Sequence, residues 1–190
     1  MIRPLMVAVI LVFPAAKADH AVFAGGCFWC VEAAYQDVRG VTDAVSGFTG
    51  GTLQNPTYSG NHEGHFEAVK VTFNPETITY QELLNIFWHN IDPFDNDGQF
   101  CDKGFSYRSA IFPTTEAQWT QALASREKIA AQFPGQTIYT GIRNEDKFWP
   151  VEADHQDYYK KNPIRYRYYR AGCRRDARLE QIWGDQAGSH

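Results

Sequence analysis

The sequence contains no hydrophobic run long enough to cross a membrane. Near its start Leu5 to Phe13 is apolar throughout, but these nine residues fall short of the roughly twenty that a spanning helix needs. With Arg3 before the run and Ala16-Lys17-Ala18 after it, residues 1–18 read as a secretory signal peptide cleaved after Ala18. An uncleaved anchor is the alternative. Positive charge is also in short supply. Eighteen Lys and Arg stand against 22 Asp and Glu, a net charge of −4 that becomes more negative once Arg3 and Lys17 are removed. This excludes a general nucleic-acid binder. The basic residues that remain cluster in RYRYYRAGCRRDAR, Arg165 to Arg178, which reads as a solvated face. Repeats, low-complexity tracts and any sign of a second domain are absent, so 19–190 reads as a single domain. Its 44% hydrophobic and 15% aromatic content is ample for a core and for a ring-lined site.

Cysteine is scarce, at four residues: Cys27, Cys30, Cys101 and Cys173. In an exported chain this even count permits structural disulfides in any of three pairings. Cys27 and Cys30 bracket two aromatic rings in GGCFWC, and what this stretch lacks narrows its chemistry. Cys101 and Cys173 stand alone, without the second close pair that a zinc site wants. Val31 follows Cys30 where haem attachment requires histidine. Phe28 and Trp29 replace the small residue and proline usual between thioredoxin-like thiols, and would block the flat approach of a protein disulfide. No metal or cofactor is expected.

What is present reads as alternating strands and helices. His20 to Ala24 is a short apolar strand, Gly25-Gly26 a tight turn, and roughly Phe28 to Val38 an amphipathic helix. A second strand follows in VTDAVSGFTGG, then the polar loop NPTYSGNHEGH, then an alternating strand from Phe66 to Phe73. Thr79 with Glu82 forms a capping box for a helix from about Tyr80 to Asn90. The long loop DPFDNDGQFCDKG leads to a strand over Ser106 to Phe112. Loops of that length in compact domains are usually functional. Thr115 with Gln118 opens a third helix reaching about Gln132, and a further strand is expected over Thr137 to Ile142. The order βαβ, βαβ predicts an α+β protein, a two-layer ferredoxin-like split βαβ core with C-terminal additions.

A cysteine reacts as its thiolate, and unpaired amides at a helix N-terminus favour that anion. The glycine turn puts Cys27 there, with Cys30 one turn on and nearly on the same face, close enough for a disulfide. Phe28 and Trp29 are candidate pocket walls beside this nucleophile. Glu67, followed by Ala-Val on a strand between Phe66 and Val69, should be partly buried, which raises a carboxyl toward general-acid use.

The strings GGCFWCVEAAY, SGFTGG, NPTYSG, GHFEAVKVTF, FCDKGFSYRSAIF and DHQDYYKKNP occur in order from Ala21 to Pro163. In this the chain resembles the peptide methionine sulfoxide reductase A family. The resemblance implies reduction of methionine S-sulfoxide, free or in proteins, and so repair of oxidised proteins. It implies Cys27 as nucleophile, attacking the sulfoxide sulfur and becoming a sulfenic acid. It further implies Glu67, Tyr58 and Tyr107 as donors to the departing oxygen, Phe28 and Trp29 as the wall for the S-methyl group, and Asp102 as the holder of the substrate's backbone amide.

Members of this family return the sulfenic acid to a thiol through a second cysteine and a disulfide, which thioredoxin or a thioredoxin-like donor opens. Which cysteine serves varies among members, so Cys30 and Cys173 both stand as resolving candidates. Cys30 is nearest and ranked first. Cys173, in YYRAGCRRD, is expected on a mobile tail, where Arg170, Arg174 and Arg175 would lower its pKa. Cys101 would either pass the disulfide onward or pair structurally with Cys173. The signal peptide implies a secreted or periplasmic address. Two other classes remain: a thiol–disulfide oxidoreductase using Cys27 and Cys30 directly, and a binding module that holds an oxidised or methylated peptide.

Overall fold

A computed structural model describes residues 18–144 and 146–188. Residues 1–17 of the expected signal peptide lie outside the described residues. The chain opens with strand β1 (Asp19–Gly25) and helix α1 (Phe28–Gln36), and continues through β2 (Val41–Thr49) and β3 (Phe66–Phe73) to α2 (Tyr80–His89). The capping box is present: the Thr79 hydroxyl accepts from the Glu82 amide and the Glu82 carboxylate accepts from the Thr79 amide.

The long loop is not structureless, since β4 (Gly98–Gln99) and β5 (Asp102–Lys103) pair as a small hairpin inside it. Next come β6 (Ser109–Phe112), α3 (Glu116–Gln132), β7 (Gly141–Ile142) and β8 (Trp149–Pro150). Three helices end the described chain: α4 (Tyr158–Lys161), α5 (Pro163–Gly172) and α6 (Arg175–Trp183).

Six strands form one mixed sheet in the order β7-β6-β1-β3-β2-β8, making the protein α+β. β1 lies antiparallel between β3 and β6, β2 pairs antiparallel with β3 and β8, and β7 runs parallel to β6. Alternation along the strands divides the apolar residues into two sets. Phe23, Phe48, Val69, Val71 and Ile111 join Val31, Tyr35, Leu83, Leu84, Phe87 and Trp88 of α1 and α2 in the main core. The Phe23 ring lies 5.3 Å from both Tyr35 and Phe87. Val22, Ala24, Phe66, Ala68, Ala110 and Phe112 form a second cluster, with Phe148 packed against it. Glu67 shares the strand parity of Val69 and Val71, so it points toward the helix layer.

Three expectations need correction. The strand expected over Ser106 to Phe112 begins only at Ser109, after a 3₁₀ turn at Phe105–Tyr107, because its partner β1 ends with Gly25 opposite Ser109. The strand expected over Thr137 to Ile142 is reduced to Gly141–Ile142, opposite Ala110 and Ile111, while Tyr139 donates its amide to the Pro93 carbonyl instead. The C-terminal basic run is neither wholly solvated nor a tail. It forms α5 and α6, with Arg170 and Arg175 buried, and α6 is seated by Leu179 and by Trp183 Nε1 donating to the Ile91 carbonyl at 3.0 Å. Cys173 sits between these helices in a disulfide with Cys101, their Cα atoms 4.9 Å apart.

Candidate active site

The glycines before Cys27 are required by what surrounds them. Gly26 has φ +84°, and a Cβ there would lie 2.6 Å from Gln99 Cβ; one on Gly25 would lie 2.9 Å from Ile91. Only a backbone without side chains threads this gap, and it delivers Cys27 to the position just before α1, at the end of the central strand. The Cys27 carbonyl accepts from the amides of Cys30 (3.1 Å) and Val31 (3.4 Å), which starts the helix. Cys27 and Cys30 are both free and buried, and their thiols hydrogen-bond to each other.

The helix start does not by itself make Cys27 an anion. The Phe28 amide is taken by Glu67, whose Oε2 accepts it at 3.0 Å. Burial pushes the Cys27 thiol up, with the Cys30 and Glu67 charges adding to the effect. Cys30 is pulled down, first by the hydrogen bond from Cys27 and then by the charges of Arg175 and Arg170. The two thiols thus form one hydrogen-bonded pair in which burial holds Cys27 toward the thiol while the two arginines favour negative charge on the Cys30 side. Arg175 and Arg170, two of the three arginines expected to tune Cys173, act on Cys30 instead.

Glu67 is 1% exposed, and desolvation raises its carboxyl to about 8, so it is protonated at neutral pH. Its Oε1 has no partner within the protein. A buried acid with one oxygen committed and the other unmet is suited to give a proton to a bound ligand. Tyr58 and Tyr107 are half-buried and lie within electrostatic reach of both Glu67 and Cys27, so four of the expected residues converge on one spot. Burial raises both phenols, Tyr58 to about 12, and both remain hydrogen-bond donors. Tyr58 is positioned by its loop, where the Thr57 amide donates to Asn61 and the His62 ring stacks on Phe48 at 5.0 Å.

The two aromatic residues of GGCFWC are placed differently. Phe28 is wholly buried, with its ring against Phe48, Tyr58 and His155, so it backs the site rather than facing it. Trp29 is half-buried and is the accessible wall. Its ring lies flat on Tyr158, 3.7 Å between centroids, and its Nε1 donates to His155 Nδ1 at 3.3 Å. His155 and Tyr158 come from DHQDYY, where every residue from His155 to Tyr158 braces the site. Gln156 takes the Ser46 amide (2.9 Å) and donates to the Ser46 carbonyl (2.8 Å), and the Asp157 amide donates to buried Glu32 at 2.7 Å. The string carries part of the family resemblance, yet no residue type in it announces this bracing role.

Asp102 stands on the far side, half-buried, with burial raising its carboxyl. It accepts a short hydrogen bond from the Tyr169 hydroxyl, which also lies within hydrogen-bonding reach of Cys27. Tyr169 is thus a site residue that sequence reasoning missed. Asp102 follows Cys101, so the Cys101–Cys173 disulfide borders the site. Cys101 is exposed and Cys173 half-buried, whereas Cys27 and Cys30 are 6% and 1% exposed.

Residues 19–187 match the family model described as peptide methionine sulfoxide reductase. The peptide methionine sulfoxide reductase MsrA 2 of Rhizobium meliloti is 46% identical, over 96% of this chain and 93% of its own length. The protein of the same name from Caulobacter vibrioides is 48% identical, over 90% of this chain and 88% of its own. Among solved structures, reduced Mxr1 from Saccharomyces cerevisiae superposes with a TM-score of 0.73 at 28% identity, covering 80% of this chain and 90% of that one. Methionine sulfoxide reductase A of Corynebacterium diphtheriae gives 0.69 at 31% identity, covering 77% and 76%. A buried dithiol facing a protonated carboxyl and two phenols, on a chain matched over nearly its whole described length, places this protein in the peptide methionine sulfoxide reductase family.

Proposed function

We propose that the protein reduces methionine S-sulfoxide, free or in proteins, to methionine, and so repairs oxidised proteins. The observation that carries this is the unmet oxygen of protonated Glu67, buried beside Cys27 and flanked by the Tyr58 and Tyr107 hydroxyls. A sulfoxide oxygen fills that gap as an acceptor, and the S-methyl group lies on Trp29, with Phe28 behind it. Asp102 takes the substrate's backbone amide. The Cys27 thiol passes its proton to Cys30 as its sulfur bonds to the sulfoxide sulfur. The oxygen takes a proton from Glu67 and moves to Cys27, which becomes S–OH while the substrate sulfur gains two electrons and leaves as methionine. Without donors at that oxygen the charge developing there would be uncompensated.

Cys30 then attacks the Cys27 sulfenic acid, forming an S–S bond and releasing water. A protein donor must present its own thiolate to a sulfur, and both sulfurs of this new bond are buried. The Cys101–Cys173 pair, with its exposed Cys101, is therefore read as the donor-facing couple, opened by a thioredoxin-like protein and passing its electrons inward. Donor and enzyme would meet outside the cytoplasm, in the periplasm or as secreted proteins, the address proposed from the leader cleaved after Ala18; residues 19–190 would be the single catalytic domain. The order β6-β1-β3-β2, antiparallel at every step, supports a ferredoxin-like split βαβ core.

Counting methionine tests this scheme. Supplied with reduced thioredoxin as the donor, a Cys30→Ser chain is expected to form about one methionine per protein, more slowly than wild type, and then stop, whereas the wild-type chain turns over repeatedly. Cys173→Ser is expected to keep the first turnover at the wild-type rate. Stalling after one methionine in Cys173→Ser, with recycling retained in Cys30→Ser, would reverse the order of the relay. Insulin disulfide reduction without any sulfoxide reduction would instead identify a thiol–disulfide oxidoreductase.

A further inference from the structure

Cys101 and Cys173 stand alone in the sequence, 72 residues apart, and on that ground no metal is expected. The fold removes the ground. The turn of the β4–β5 hairpin carries Cys101 beside Asp102, the end of α5 brings in Cys173, and the two cysteine Cα atoms lie 4.9 Å apart. One ligand atom from each of Cys101, Asp102 and Cys173 falls within 4.8 Å of the others, and among the described residues no other three Cys, His, Asp or Glu side chains meet so closely.

The spacing suits a tetrahedral ion. The Tyr169 hydroxyl donates to Asp102 Oδ2, which leaves Oδ1 free at 3.8 Å from the Cys101 sulfur. Zinc bonds of about 2.3 Å to sulfur and about 2.0–2.2 Å to a carboxylate oxygen set two such ligands about 3.5 Å apart. Opening the disulfide brings the second match, because two sulfurs no longer bonded separate to van der Waals contact, close to the roughly 3.7–3.8 Å between two thiolates on one zinc. A thioredoxin-like dithiol supplies the two electrons: its own sulfurs become a disulfide, and Cys101 and Cys173 become thiols. Zinc then displaces the two thiol protons, which pass to water.

We propose that the reduced Cys101–Cys173 pair and Asp102 form a zinc site, with two thiolates and Asp102 Oδ1 as ligands and a water in the fourth position. Cys101 is exposed, so the ion has a way in. The hydrogen bond from Tyr169 orients the ligating carboxylate, as outer partners of metal ligands do. Two thiolates and a carboxylate exceed the zinc charge by one, and Arg175 and Lys103, whose charges both reach Asp102, answer the excess. The other thiol pair is less suited. Cys27 and Cys30 are 6% and 1% exposed, and Glu67 beside them commits one oxygen to the Phe28 amide. Zinc at Asp102 would also occupy the carboxylate that the proposed function gives to the substrate's amide; that consequence rests on the proposed function, whereas the site does not.

The test loads zinc onto a full chain carrying Cys27→Ser and Cys30→Ser, reduced with a phosphine and desalted under argon. One zinc per chain is expected to survive size exclusion, and none on the same chain with its disulfide intact. Cobalt in place of zinc is expected to show the visible bands of a tetrahedral ion and the near-ultraviolet band of thiolate-to-cobalt charge transfer. Asp102→Asn is expected to weaken zinc by about tenfold or more, since even the outer partners of metal ligands are worth that much, and to alter the visible cobalt bands. No zinc on the reduced chain, equal zinc on the disulfide form, or an Asp102→Asn affinity equal to the parent's would each overturn the proposal. If the doubly substituted chain does not fold, Cys101→Ser in the otherwise unaltered reduced chain decides: loss of the zinc supports the site and its retention overturns it. Sulfoxide is absent throughout, so the result stands apart from whether the chain reduces it.

Discussion

Cys27→Ser is expected to abolish methionine formation in the first turnover, a loss of about 10⁴-fold or more, in the range seen when an enzyme's nucleophile is removed. Two physical reasons make this the largest effect. A serine hydroxyl in the same buried position has no neighbour able to take its proton, because Cys30 is matched to a thiol rather than to an alcohol. Attack by oxygen would also have to leave a peroxidic O–O bond where sulfur leaves a sulfenic acid. The measurement is methionine released per chain after mixing with an S-sulfoxide in the absence of external reductant. The fold should be unaffected, since the Cys27 carbonyl rather than its side chain starts α1.

The second large effect is Glu67→Gln, for which a fall of about 10²–10⁴-fold in the first-turnover rate is expected. The amide keeps the shape of the carboxyl, and its oxygen can still accept from the Phe28 amide, as Glu67 Oε2 does at 3.0 Å. What it loses is the transferable proton. The pH profile carries the sign. Glu67 is raised to about 8, so it is protonated below that value and ionised above it. The wild-type first-turnover rate is thus expected to decline as pH rises through about 8, and Glu67→Gln to lack that limb. On the acid side both chains should decline alike as Cys30, whose pKa is lowered by Cys27 and the two arginines, gains its proton. A wild-type rate that climbed through pH 8 would assign the departing proton to another group.

Much of this site was legible because its signals are local. GGCFWC announces a turn, a helix start and a dithiol within six residues, and α1 begins at Phe28 as that pattern requires. Thr79 and Glu82 form their capping box because both partners lie within one helical turn. The alternation around Glu67 predicted its burial, and the strand bounds Phe66–Phe73 were met.

The misses are of two physical kinds. Strand ends depend on where a distant partner stops: Ser109 begins β6 only because Gly25 ends β1, and no periodicity near residue 106 reveals that. The buried arginines depend on a backbone break. In one continuous helix Arg170 and Arg175 would point about 140° apart, which is why the run reads as a solvated surface. Arg174 takes a left-handed conformation at φ 54° and turns α6 relative to α5, so both side chains face inward. The same break sets Cys173 against Cys101, seventy-two residues away in sequence, a pairing that composition left open among three. His155 and Tyr158 were hidden for a related reason, since their rings gain meaning only when α4 and the loop before it lie across Trp29.

The central claim is that the oxygen taken from the substrate passes to Cys27, and trapping that oxygen tests it most directly. A Cys30→Ser chain is mixed with one equivalent of methionine S-sulfoxide and then with a carbon nucleophile selective for sulfenic acids, and the labelled peptides are mapped. The account predicts a single adduct on Cys27, in the same amount as the methionine released. Methionine formed without an adduct, or with the adduct on Cys101 or Cys173, would contradict it.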